Sequence, residues 1–453
     1  MPLSRKAGIS WKISLPTIIA QMTSIAMQYI DSAMVGSLGA DATAAIGLVS
    51  STIWFFNGVT FAAVYGFAVQ IAQAVGADNS AKARNIFRQG LKASFLYALL
   101  MAAISGAISG RLPVWLGGES AIIKDASAYF LTIAVFMPVN QIRFYCAGCL
   151  QATGDTRTPG ILSVLLCVLN VILNALFIPG EGMMTLGTFS FRMHGLGLGV
   201  FGAALATGLS GLVIAAAMFF AAAVRNGSLK IVRGEKAGFQ KEILLKALRI
   251  SAPAAFEQGA ISGAMVATTR IVAPLGTVAV AANSLAITAE SFCYMPGYGL
   301  EASATTLVGQ SIGAGHGRLA VSFAWITTAM GMIMMTAMGV LMYFICPAVF
   351  VFLTPDAAVR ALGVNVLRIE LFAEPFFGAS IVAAGALRGA GDTLIPSIMN
   401  LASIWGVRLT LAILLAGRLG LTGVWIAMFI ELCFRGIIFL IRMKRGKWMK
   451  AAL

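Results

Sequence analysis

Residues 147–159 read Ala-Gly-Cys-Leu-Gln-Ala-Thr-Gly-Asp-Thr-Arg-Thr-Pro, and residues 384–396 read Ala-Gly-Ala-Leu-Arg-Gly-Ala-Gly-Asp-Thr-Leu-Ile-Pro. Gly154, Asp155, Thr156 and Pro159 fall on Gly391, Asp392, Thr393 and Pro396 at a constant shift of 237 positions. The same shift pairs Pro16 with Pro253, Gln21 with Gln258, Gly39 with Gly276, Phe55 with Phe292, Gln73 with Gln310, Gly76 with Gly313 and Pro138 with Pro375. A single shift that holds from position 16 to position 396 marks a duplication into two homologous halves.

The solvent follows from composition. Hydrophobic residues make up 59% of the chain and charged residues 11%, with a mean hydropathy of +0.89. A soluble domain carries about 25% charge, so most of this surface faces lipid. The excess of 32 Lys+Arg over 17 Asp+Glu sits in short loops between apolar runs. That is the pattern of membrane orientation, and no nucleic acid is expected as a partner. All six cysteines lie in apolar segments, so they make no disulfide framework. With two histidines in the chain, a His-based metal site is not expected.

The apolar run 13–35 is long enough to span a bilayer and is read as a retained first helix, not a signal peptide. Further runs at about 45–74, 90–110, 126–150, 159–179 and 198–224 complete the first half. The second half repeats the set at about 250–272, 279–310, 322–351, 362–387, 394–416 and 421–442. The fold class is therefore an all-α integral membrane protein with twelve transmembrane helices in two six-helix lobes. The lobes are expected at 1–224 and 250–453, joined by a basic linker at 225–249. An even number of helices per half makes the repeat parallel. Lys and Arg concentrate after helix 2, between helices 6 and 7 and after helix 12, while 36–43 and 273–279 have none. This places both termini in the cytoplasm, in a plasma (inner) membrane.

The signature stretches then lie between helices 4 and 5, and 10 and 11. Gly allows a sharp turn, Asp can cap the next helix, and the proline suits its first turn. Gly202 aligns with Gly423 only at a shift of 221, so the first half carries sixteen extra residues near 179–195. Phe189, Phe191 and Met193 alternate with polar residues there, the pattern of a short β-hairpin.

Polar residues inside apolar helices mark the candidate site. Gln21, Ser24, Gln28 and Asp31 recur on one face of helix 1. A lone acid in a membrane costs several kcal/mol unless protonated, paired or hydrated, so Asp31 is a functional candidate. Desolvation favours its neutral form. Asn170 and Asn174 share a face of helix 5, and helix 6 adds Thr207. Carboxylate, amide and hydroxyl oxygens suit a hard cation, or a proton held on Asp31. The second half has Thr268 at the repeat position of Asp31 but carries its own acids at Glu257, Glu290, Glu301, Glu370, Glu374 and Glu431. Glu257, Gln258 and Glu290 form a possible second polar site. Arg143, Arg270, Arg368 and Arg408 are candidate ion-pair partners, and a plain structural pair is the competing reading for each. Gln28, Met34, Asn57, Tyr65, Tyr294 and Met295 are generic substrate-cavity candidates. Pro16 weakens helix 1 near one end and is read as a hinge.

The whole chain resembles the multidrug and toxic compound extrusion (MATE) family, and within it the DinF-like branch. The resemblance rests on Tyr29-Ile-Asp31-Ser-Ala-Met-Val-Gly36, Val308-Gly-Gln310-Ser-Ile-Gly313-Ala, Pro253-x-x-x-Glu257-Gln258 and Leu387-Arg-Gly-Ala-Gly-Asp392-Thr. It implies a V-shaped pair of six-helix lobes and alternating access. It also implies expulsion of amphipathic, often cationic compounds in exchange for H⁺ or Na⁺, with no other cofactor. By the family pattern Asp31, Asn170, Asn174 and Thr207 fall on the cation or proton site. Many relatives carry Asp where this chain has Asn174. Relatives with a second-lobe Na⁺ site carry acids where this chain has Ile261 and Phe377. Both departures favour proton coupling. The expected partners are small organic substrates and membrane lipid, around a monomer. A flippase of lipid-linked precursors is the alternative and requires converging cationic residues such as Arg143, Arg270 and Arg408. A channel or intramembrane enzyme fits the duplication poorly, and the lack of a Walker-type loop argues against ATP as the direct energy source.

Overall fold

The computed structural model describes residues 1–186, 189–232 and 240–452. Twelve helical spans run through it. In the first half they are α1 (Leu3–Gly36), α2 (Ala40–Gly76), α3 (Ser80–Ile108), α4 (Ser120–Ala152), α5 (Arg157–Phe177) and α6 (Gly199–Phe220). In the second half they are α7 (Lys241–Val272), α8 (Thr277–Gly313) and α9 (Gly317–Leu353), then three more. The span α10 joins Ala357–Glu370 to Glu374–Gly389 through a 3₁₀ turn at Leu371–Ala373. The span α11 joins Leu394–Leu401 to Thr410–Leu419 through a π-helical segment at Ala402–Leu409, and α12 is Leu421–Arg445. Many of these helices exceed the spans expected from hydropathy. At about 1.5 Å per residue, a helix of 34 residues is some 50 Å long, beyond a hydrocarbon core of about 30 Å. Among the described residues, nine spans are long and apolar enough to cross a membrane by composition. The exceptions are α1, with the half-buried Asp31 among polar residues, α7, with the buried Glu257, and α10, broken by its 3₁₀ turn.

Between α5 and α6, β1 (Glu181–Leu186) and β2 (Phe189–His194) pair antiparallel with Leu186 opposite Phe189. The extra residues of the first half thus form the expected hairpin, whose tip at 187–188 lies outside the described residues. The linker reading needs one correction. Lys241, Lys246 and Arg249 belong to the start of α7, because the apolar positions Ile243, Ala247 and Ile250 pack inward from there. Residues 233–239 of that linker lie outside the described residues.

Each half has its own core. Phe67, Ile71, Phe87, Tyr145, Leu150 and Met218 fill the first. Met335, Phe350, Leu367, Trp425 and Leu432 fill the second. The helix α1 belongs to both. Its early residues Ile9, Ile13 and Ile18 pack with Leu300, Leu307 and Phe323 of the second half, while Met34 and Val35 pack with Ile178 and Val200 of the first. Lys6 donates to Ser322, and Met449 joins the same cluster as Ile9, so both termini lie at one end of the molecule.

The halves meet through repeat-related residues. A Cβ on Gly76 would overlap the Gln310 carbonyl, and a Cβ on Gly313 would overlap the Gln73 carbonyl. Gln310 donates to the Ala152 carbonyl (2.8 Å), and Gln73 donates to the Gly389 carbonyl (3.5 Å). Each contact is the other displaced by the repeat shift, so α2 and α8 cross on a pseudo-twofold axis. The signature turns flank this crossing. Gly154 and Gly391 sit at φ +91° and +92°, a region that favours glycine. Asp155 accepts from the Thr158 backbone N–H (3.1 Å) and hydroxyl (2.8 Å), as a cap should. Asp392 instead pairs with Arg442 of α12 (2.6 Å).

Candidate functional site

The four residues singled out on α1, α5 and α6 form one chain of contacts. Asn174 donates to Asp31 (2.5 Å) and to the Asn170 side-chain oxygen (3.1 Å). Asn170 donates to the Thr207 hydroxyl (3.3 Å), which donates to the Ala203 carbonyl (3.0 Å). The local reason is spacing: Asn170 and Asn174 are one turn apart on α5, and the small residues Gly202, Ala203 and Ala206 let α6 approach. Both asparagines are fully buried, whereas Asp31 retains part of its exposure. Tyr129 and Cys167 stand within electrostatic range of Asp31. The Asn174 side-chain oxygen has no hydrogen-bond partner. The set offers a carboxylate, two amides and a hydroxyl, which can accept a proton or a small cation.

The second polar site divides in two. Glu257 is buried against Arg388 (3.0 Å), Ser397 (2.6 Å) and Asn400 (2.6 Å). Arg388 also reaches Glu301 (2.5 Å), and its guanidinium lies 5.3 Å from the Tyr65 ring centroid. Gln258 packs on Gly58 of α2. Glu290 belongs to another cluster, with Arg408 and Arg435. Sequence reasoning grouped Glu257 with Glu290 because both are acids in apolar helices. They sit on different helices, however, and the residue that organises Glu257 was missed. Arg388 stood in the quoted Leu387-Arg-Gly motif, and a charged residue in such a helix was the available signal.

Among the cavity candidates, Tyr65 faces Arg388 and Tyr294 stacks obliquely with Phe377 at 5.7 Å. Gln28, Asn57 and Met295 keep partial or full exposure. Met34 is corrected: it is 3% exposed in the α1–α5–α6 core, where its apolar side chain packs instead of lining a cavity. Pro16 lies inside α1, which stays helical through it, and its carbonyl sits against Gly160 of α5. Arg143 lies 4.1 Å from the Phe144 ring centroid, Arg408 donates to Met428, and Arg270 is exposed. Each of these arginines has its own surroundings, so the three do not form the patch that a flippase reading required.

The MatE family model matches residues 16–176 and again 253–414, the two matches starting 237 positions apart. The chain belongs to the MatE family. Members of the MatE family are membrane transporters, not enzymes, and this chain is a multi-pass one. It is 29% identical over 451 residues to the probable multidrug resistance protein NorM of Thermotoga maritima, covering 98% of this chain and 93% of that one. Among solved structures it matches a MOP superfamily transporter from Pyrococcus furiosus, described as having a binding pocket of reversed polarity. That match has a TM-score of 0.90 at 19% identity, over 98% of this chain and 97% of the other. It also matches an aspartate-to-asparagine mutant of the Vibrio cholerae MATE transporter VcmN, with a TM-score of 0.89 at 19% identity and the same coverage. At these identities the structures establish the MatE fold of the chain.

Proposed function

We propose that this MatE protein exports amphipathic, cationic organic compounds in exchange for protons, by alternating access between its two lobes. The observation that carries the reading is the chain Asp31–Asn174–Asn170–Thr207, an acid held by buried amides inside three membrane helices. An ionised Asp31 accepts from the Asn174 amide, as found here. A protonated Asp31 becomes a donor, and turning the Asn174 amide over would offer it the oxygen that is now unpartnered. A cationic drug favours the ionised acid, so proton uptake from outside helps to expel it. With an amide at position 174, the site lacks the second charge a dedicated Na⁺ site would use. The NorM names of the relatives support multidrug export.

In this reading the protein works as a monomer surrounded by lipid in the plasma membrane, with both termini cytoplasmic. Transport in proteoliposomes tests it, using imposed pH and Na⁺ gradients and a panel of organic cations and lipid-linked precursors. Organic cations should move in response to the pH gradient. Response to Na⁺ alone would transfer coupling to Na⁺, and movement of the lipid-linked precursors alone would replace export with flipping. Reporters fused at Leu453 and inserted near Gly238 should both read the cytoplasm; an external signal from either rejects the orientation.

A further inference from the structure

A second group of acids lies behind Tyr294, in the core of the second lobe. Glu290 on α8, Glu370 and Glu374 on α10 and Glu431 on α12 are 3%, 0%, 0% and 0% exposed. Two cations accompany them. Arg435 pairs with Glu431 (3.1 Å), whose carboxylate also accepts from Ser403 (2.6 Å). Arg408 is left to face Glu290 and Glu370. Glu374 rests on Gly339 of α9, where a Cβ would come within 3.1 Å of its side chain. All four carboxyl oxygens of Glu370 and Glu374 lack a hydrogen-bond partner, as does the Arg408 Nε. The other polar groups facing the cluster are Cys293 and Tyr294 of α8 and Cys433 of α12, none of them cationic. Two helix interruptions of the lobe converge here. The 3₁₀ turn separates Glu370 from Glu374, and the π segment carries Ser403 and Arg408. Such interruptions are common at functional sites.

The charge count decides what this cluster is. Four carboxyls share the two guanidiniums of Arg408 and Arg435, an excess of two negative charges, in a core that also holds Cys293, Met335, Leu371 and Phe377. Uncompensated charge in such a core is too costly to persist, so the excess must be neutralised by bound cations. We propose that Glu290, Glu370 and Glu374 form a proton-holding site of the second lobe, with two protons shared among the three carboxyls. Ser403 is committed to Glu431, and the oxygens of Glu370 and Glu374 accept no hydrogen bond, so the three carboxyls hold protons as one coupled group.

This inference concerns proton occupancy and stands whether or not the antiport reading holds. The test is infrared spectroscopy of the purified full-length protein at neutral pH, reading the C=O band of protonated carboxylic acids, in an Asp31→Asn background that removes the first-lobe acid. Glu370→Gln and Glu374→Gln should each remove the intensity of one protonated carboxyl. The double variant should remove two, because Glu290 alone is balanced by Arg408. A monodisperse elution profile checks folding. A band unchanged by all three variants overturns the proposal. A further measurement needs no cluster variant: Na⁺ is exchanged for choline. A band that grows on removal of Na⁺ would show that the occupant is Na⁺, and that also overturns it. Transport assays on the same samples report separately on the antiport reading.

Discussion

The two halves descend from one unit, yet the position of Asp31 and its repeat mate have opposite contents. Asp31, Asn170 and Asn174 correspond to Thr268, Val407 and Leu411, and Thr207 corresponds to Met428. In the first half these residues make a hydrogen-bonded chain from acid to hydroxyl. In the second, Thr268 bonds back to the Ala264 carbonyl of its own helix, and Leu411 packs on the apolar core. The converse also holds. Arg388, Glu257, Glu370 and Glu374 correspond to Gln151, Ala20, Ile133 and Met137. The scaffold was duplicated whole, but the polar chemistry was distributed separately to each lobe.

The comparison breaks most visibly at Asp31. Asp31→Asn keeps the shape and mimics the protonated acid, and it should abolish efflux driven by a pH gradient in vesicles while inserting normally. Wild-type rate with an unchanged pH response would move coupling to the second lobe. The next largest effect is on stability. Arg388→Ala leaves Glu257 and Glu301 buried without their cation. It should cost about 3–5 kcal/mol, seen as a lower Tm in detergent, whereas Thr268→Val should barely shift it. A smaller effect comes from the crossing of α2 and α8. Gly76→Ala and Gly313→Ala each force a Cβ onto the partner backbone. Each should cost about 1–3 kcal/mol and slow transport, and the two losses should match; strongly unequal losses would refute the pseudo-twofold crossing. Pro16→Ala should slow transport and leave insertion intact, since α1 spans both lobes around this residue; an unchanged rate removes the hinge. The mildest change is Asn174→Asp, which should permit transport and sharpen any Na⁺ dependence in the same vesicles.

Much of this is legible in the amino-acid sequence. The shift of 237 carried the repeat because Gly76 and Gly313 leave no room for a Cβ and Gln73 and Gln310 donate to repeat-related carbonyls. Asp31, Asn170, Asn174 and Thr207 stood out because a polar atom in an apolar helix needs a reason. The Arg388 cluster was not legible, since its members come from α7, α8, α10 and α11 and share no spacing along the chain. The same holds for Glu290 beside Glu370, which only the fold brings together. Met34 misled because a methionine one turn from Asp31 reads equally well as cavity or core. Asp392 matched Asp155 in sequence, but Arg442 on a distant helix captured it.

The reciprocal contacts of Gly76 with Gln310 and of Gly313 with Gln73 have the form of an isologous interface, in which the same patch meets itself. Before the halves were fused, such a patch would have joined two copies of a six-helix ancestor, and every mutation in it would have counted twice. Fusion freed the rest of each half from that doubling. An acid could then appear in one lobe without its mirror image appearing in the other. The crossing helices kept their ancestral symmetry because each still has to fit the backbone of its twin.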